Sequence, residues 1–179
     1  MANERTWGGT TTLMLDAKYL RDPAVLTASG FGLGFLPRAP GTWGSAAALL
    51  VWWLALVHLS VFWQVAICVA CFGVGWWCSA IVCRRFAVDD APQIVVDEVV
   101  GMWLTLIMLP STWWLSLLAF VMFRWLDIVK PGPIGWLDRE VKGGLGVMVD
   151  DVAAGLVAGI VLYFSVWALT AAGFTQLIR

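Results

Sequence analysis

Apolar residues run along this chain in blocks too continuous for strands or for amphipathic surface helices. Ala46 to Leu59 forms one run and Val61 to Cys83 a longer one; the His58–Ser60 corner separates them, and Arg84 and Arg85 stop the second. After the polar connector AVDDAPQ comes Val95 to Leu109, apolar apart from Asp97, Glu98 and Thr105, and closed by Pro110. Trp113 to Ile128 follows, interrupted late by Arg124 and Asp127, with Lys130, Pro131 and Pro133 beyond it. The last run, VMVDDVAAGLVAGIVLYFSVWALTAAG, is the longest. A bilayer core of about 30 Å needs roughly 20 apolar residues per helix. The five runs therefore predict an all-α fold, a polytopic membrane helical bundle of about five spans. The first and third are short by that measure, and are expected to tilt, to be re-entrant or to end among head groups.

The segments between the runs have their own patterns. In IGWLDREVK, Ile134 to Lys142, apolar and charged residues alternate after Pro133, which predicts a short amphipathic helix lying in the membrane interface. GFGLGFLPRAPGTWGS, Gly30 to Ser45, holds five glycines and two prolines and is expected to be non-helical. Residues 1–29 are a polar N-terminal segment, with an amphipathic patch at Leu13–Leu20, expected to be partly ordered at best. Residues 30–179 form one membrane-embedded domain. The N-terminus lacks the pattern of a signal peptide, so the chain is expected to enter the membrane through its own first span.

Composition strengthens this picture. The chain is 61% hydrophobic and 13% charged, with a mean hydropathy of +0.85, whereas soluble domains average roughly 45–50% apolar and about 25% charged. Thirteen Trp suit a chain with many residues at the membrane–water boundary. A net charge of −1 gives no field for nucleic acid, and no obligate protein partner is evident. Cys68, Cys71, Cys78 and Cys83 all fall in one apolar segment and read as small buried hydrophobes. Cys78 and Arg84 have the Cys-x5-Arg spacing of thiol phosphatases. That chemistry needs a loop of backbone N–H groups, whereas here the intervening residues are glycine-free and continue a helix.

The basic residues set the orientation. Arg5, Lys18, Arg21 and Arg38 precede span one, Arg84 and Arg85 follow span two, and Arg124, Lys130, Arg139 and Lys142 lie between spans four and five. The opposite loops carry no Lys or Arg, so the N-terminus is expected in the cytoplasm. Asp97 and Glu98 then open span three, Asp150 and Asp151 open span five, and Arg124, Asp127 and Lys130 close span four, all on that one side. Acids gathered there suit a hard cation bound through oxygen, Mg2+ above all. His58, the lone histidine, lies on the other face, which excludes histidine-based zinc or triad chemistry at this place.

Asp97, Glu98, Asp150 and Asp151 are therefore the expected metal ligands. Asp127, Arg124 and Lys130 are expected around a reacting phosphate, with Asp138 and Arg139 facing it from the interfacial helix. The glycine-rich turn with Arg38, Gly41, Thr42 and Ser45 is expected to cradle the phosphate at a helix start. Blander accounts stand beside these. An acidic pair can simply complement a helix dipole, and Arg124 and Asp127 can form an i,i+3 surface pair. Asp138, Arg139 and Glu140 can be a solvated face. Gly155 and Gly159 read as helix packing.

Taken in order, GFGLGFLPRAPGTWGS, VVDEVVGMW, FRWLDIVKPGPIGWLDR and GGLGVMVDDVAAG closely resemble the bacterial phosphatidylglycerophosphatase A family, from about Gly30 to Tyr163. The resemblance implies a Mg2+-dependent phosphatase of the bacterial inner membrane, multi-pass, with its active site facing the cytoplasm. Its phospholipid substrate would be phosphatidylglycerophosphate, hydrolysed to phosphatidylglycerol and phosphate. A carboxylate-lined ion or proton transporter is the alternative, but it would place acids at mid-span rather than at helix ends. A transferase of the CDP-alcohol type would need a long aspartate signature that is missing here.

Overall fold

The computed structural model describes residues 3–7 and 10–174. Strand β1 (Asn3–Trp7) pairs antiparallel with β2 (Thr10–Met14). A 3-10 turn, Ala17–Arg21, follows, capped by Asp16, whose carboxylate accepts from Lys18 N–H. Helix α1 (Pro23–Ala28) begins with Asp22 accepting from Ala24 N–H and with proline at the first helical position, where no N–H is needed.

This early segment is more ordered than its polarity predicts. Leu15, Val25 and Ala28 are buried in the main core. Leu15 N–H donates to the Gln93 side chain, Val95 N–H donates to the Ala28 carbonyl, and Arg85 pairs with Asp22. A few apolar residues among many polar ones are enough to seat it against the connector before the third apolar run.

Helix α2 (Pro40–Leu54) is followed by a 3-10 turn, Leu56–His58, and then by α3 (Val61–Phe86). After the connector come α4 (Val96–Ile107), α5 (Trp113–Val129), the short α6 (Pro133–Glu140) and the long α7 (Gly143–Ala171). The expectation that Gly30–Ser45 is non-helical fails at its end, since Pro40 to Ser45 are the opening of α2. Proline at the first position costs nothing there. The two glycines are tolerated because each lets another element come close: a Cβ on Gly44 would press on Val95, and one on Gly41 would fall on the Glu98 carboxylate.

Among the described residues, three helical stretches are long and apolar enough to cross a membrane: Pro40–His58, α3 and α7. The expected five spans are thus not matched by five long helices. Helix α4, with 12 residues, rises only about 18 Å, and α5, with 17, about 25 Å. They form a shorter antiparallel hairpin within the frame of the longer helices. Large apolar side chains such as Phe62, Trp77, Trp125, Phe164 and Trp167 are exposed on the outside of α3, α5 and α7, which fits a lipid-facing surface.

Helix α4 is the hub, packed against α2, α3, α5 and, most extensively, α7. The α4–α7 crossing is backbone on backbone. A Cβ on Gly155 would collide with the Gly101 carbonyl, and one on Gly101 would come within 2.7 Å of the Asp151 carbonyl oxygen. The Thr105 hydroxyl lies 3.0 Å from the carbonyl oxygens of both Gly101 and Gly155. Gly159 meets the Met108 side chain, so the small residues of α7 pack as the sequence predicts. The Trp103 indole N–H donates to the Ala48 carbonyl at 2.9 Å and ties α4 to α2.

Candidate active site

The acids gather where α2 and α4 begin, α5 ends and α7 is two turns old. Asp97 and Glu98 lie in the first turn of α4. Its N-cap, Val95, offers no side-chain cap, so these acids supply the negative charge that complements the free N–H groups. Asp150 and Asp151 are neighbours on α7 and so point about 100° apart around the helix. Asp151 faces α4. Asp150 faces Lys130.

This division decides which acids meet. One carboxylate oxygen each from Asp97, Glu98 and Asp151 lies within 4.8 Å of the others. Asp97 is 8% and Asp151 3% exposed. Asp97 Oδ1, Glu98 Oε2 and Asp151 Oδ2 are all buried with no hydrogen-bond donor. Buried carboxylates without partners cost several kcal/mol each. An oxygen-only set of three, pressed together and unsatisfied, fits a hard divalent cation such as Mg2+.

A guanidinium flanks the cluster. Arg124 Nη1 lies 2.7 Å from Asp127 Oδ2 and 3.6 Å from Glu98 Oε1, and it donates to Ser45 Oγ at 3.4 Å. Ser45 in turn donates to the Gly41 carbonyl at 2.9 Å. Arg124 Nε is buried and has no acceptor, a donor left over beside an acidic cluster. A Cβ on Gly41 would also come within 3.0 Å of Arg124 Nη1, so this glycine is what admits the start of α2 to the site.

Lys130 caps α5 in the left-handed region, with φ 47°. Its Nζ lies 2.5 Å from both Asp138 Oδ1 on α6 and Asp150 Oδ2 on α7. Burial works against its charge, but the hydrogen bonds it donates to these two carboxylates outweigh that and hold the ammonium protonated above the usual lysine range. Lys142 Nζ donates to the Asp138 carbonyl oxygen at 3.2 Å.

These groups surround a cavity of about 170 Å3. Asp97, Glu98, Asp127, Lys130, Asp150 and Asp151 line it, Pro40 and Gly41 form one wall, and the exposed Asp90 stands at its rim. Of the residues expected from sequence, Arg38, Thr42, Ser45, Arg124, Asp138 and Arg139 do not line it. Thr42 N–H donates to the Ala39 carbonyl instead of pointing at a ligand. Arg124, with Ser45 behind it, backs the lining acids Glu98 and Asp127, and Asp138 reaches the cavity through Lys130. Asp90 was not foreseen: as part of AVDDAPQ it has the look of linker polarity, and only the return of that connector over α4 brings it to the site. Cys78 is buried within continuous α3, and Arg84 Nε donates to the Ala80 carbonyl, so no thiol loop forms.

Residues 26–166 match the sequence model of a family described as phosphatidylglycerophosphatase A. A protein of Escherichia coli (strain K12) named phosphatidylglycerophosphatase A is 42% identical over 148 residues, covering 81% of this chain and 84% of that one. A Haemophilus influenzae protein of the same name is 38% identical over 92 residues, covering 51% of this chain and 56% of its own. A Bacteroides thetaiotaomicron protein with a provisional phosphatidylinositol-3-phosphatase name is 36% identical over 90 residues, covering 49% of this chain and 57% of its own. No solved structure matches.

Proposed function

Because the chain belongs to the phosphatidylglycerophosphatase A family, we propose that it hydrolyses phosphatidylglycerophosphate to phosphatidylglycerol and phosphate, with Mg2+, at the cytoplasmic face of the bacterial inner membrane. The observation that carries the metal-dependent part is the cluster of Asp97, Glu98 and Asp151, with an unsatisfied oxygen on each. Those three residues hold the cation in this reading. Bound there, Mg2+ would supply positive charge to the phosphoryl oxygens.

The chain's own groups do the rest. Arg124, paired with Asp127 and close to Glu98, places a positive charge directly behind the cavity wall that a phosphate would meet. Lys130, held by Asp138 and Asp150, lines the same cavity and offsets the charge that grows on phosphorus oxygens as the ester bond breaks. Water or a carboxylate serves as nucleophile. A cavity of about 170 Å3 takes a head-group phosphate and not acyl chains, which the exposed apolar flanks of α3, α5 and α7 leave in the bilayer.

The test is release of inorganic phosphate from phosphatidylglycerophosphate in mixed micelles by the purified chain. Activity is expected with Mg2+ and is expected to vanish in Asp97→Asn while the variant stays folded in detergent. Full activity in Asp97→Asn overturns the assignment.

A further inference from the structure

A second, smaller cavity of about 80 Å3 adjoins the first. Asp89, Asp90, Asp138, Asp150 and Lys142 line it, and Asp90 and Asp150 belong to both cavities. We propose that this shared wall is a second divalent-cation site, with Asp90 and Asp150 as its ligands. The proposal rests on the cation-dependent reading of the first cavity and extends it from one ion to two.

The buried side of this wall is an orphan. Asp150 is 5% exposed; its Oδ2 is held by Lys130, while its Oδ1 is buried with no partner. Buried side-chain oxygens ordinarily have a partner, and no protein group supplies one to this oxygen. Asp90, on the open side, has no hydrogen bond or ion pair among the described residues.

Charge points the same way. The four carboxylates of the second cavity face two ammonium groups, Lys130 and Lys142, which leaves two negative charges uncompensated. That imbalance repels phosphate and matches one divalent cation. Arg124 stands behind the wall of the first cavity, beside Glu98 and Asp127, and Lys130, the cation in that wall, is already paired with Asp138 and Asp150, so Asp97, Glu98, Asp127 and Asp151 share one guanidinium. A single divalent cation there would still leave an acidic hollow, into which a phosphate monoester must bring about two further negative charges. A second cation beside the first removes that obstacle. The volume has room for an ion with its waters, each of which needs about 10–15 Å3 of such space.

Mn2+ titration of the full chain in detergent, read by electron paramagnetic resonance without substrate, tests this. Two Mn2+ per chain are expected, with one lost in Asp90→Asn and the other lost in Asp97→Asn. Asp90→Glu is expected to retain both. Asp90 is exposed, so its variants are expected to melt at the wild-type temperature. If Asp90→Asn binds as many ions as wild type, or wild type binds a single ion that only Asp97→Asn removes, the second site is wrong and the first stands. If wild type binds no Mn2+, both fail.

Discussion

The ammonium of Lys130 lies 2.5 Å from Asp150 Oδ2, on the side of α7 that Asp150 presents and its neighbour Asp151 does not. Two consecutive aspartates therefore serve different partners. Lys130→Ala should lower kcat by about 10² or more, on the scale of losing one charge-stabilising donor. Membrane insertion and folding in detergent should be kept. Steady-state kinetics beside a thermal melt separate the two effects, and an unchanged kcat removes Lys130 from the chemistry.

The same pair yields a pH signature. Lys130 has a folded-state pKa raised above the usual lysine value. The stability it contributes is therefore fully present below about pH 10.4 and is lost only as pH rises through the higher folded value. The melting difference between wild type and Lys130→Met should stay flat between about pH 6 and 9. A difference that collapses within that window would show that the ammonium is not held as described.

Gly101 and Gly155 should not tolerate side chains. Gly101→Ala places a methyl 2.6 Å from the Phe123 ring and 2.7 Å from the Asp151 carbonyl oxygen. A destabilisation of about 1–3 kcal/mol is expected, as for other overpacked positions, together with weaker Mn2+ binding. Gly73→Ala, with nothing near the added methyl, is the control and should melt close to wild type apart from the usual helix-propensity gain.

Chelation distinguishes metal from thiol chemistry. EDTA should stop phosphate release and Mg2+ should restore it, while Cys78→Ser should remain nearly fully active. Loss of activity in Cys78→Ser with its melt unchanged would falsify the carboxylate mechanism.

Lipid should be preferred to soluble substrate. A head group presented by a bilayer or micelle arrives at the depth of the cavity, whereas glycerol phosphate must find it from solution. kcat/KM should be clearly higher for the lipid. Equal values for the two substrates would rule out an interfacial site.

Much of the helical order and the convergence of acids was legible in the sequence, because long apolar runs and their charged ends are set by the bilayer itself. The roles within the acidic pairs were not. Adjacent residues on one helix, such as Asp150 and Asp151, look identical until neighbouring elements give each a direction. The opening of α2 was hidden because Gly41 and Gly44 read as breakers, whereas their value lies in what they let approach, Glu98 and Val95. Asp90 was hidden for a related reason: a connector's path over the bundle leaves no periodic trace. The packing of Leu15, Val25 and Ala28 rests on long-range contacts that polarity alone does not announce.

The bare crossing of Gly101 and Gly155 has a mechanical consequence. Where Gly101 and Gly155 cross, backbone meets backbone, and α4 and α7 have no compressible layer there through which Asp97, Glu98 and Asp151 could drift apart to relieve their repulsion. In the metal-dependent reading, the fold itself holds this repulsion in place, and a cation bound by the three carboxylates would offset it. Ligand that binds only the folded state raises the melting temperature with concentration. Free Mg2+ in the surrounding water would then govern how long the enzyme survives in its membrane as well as how fast it works.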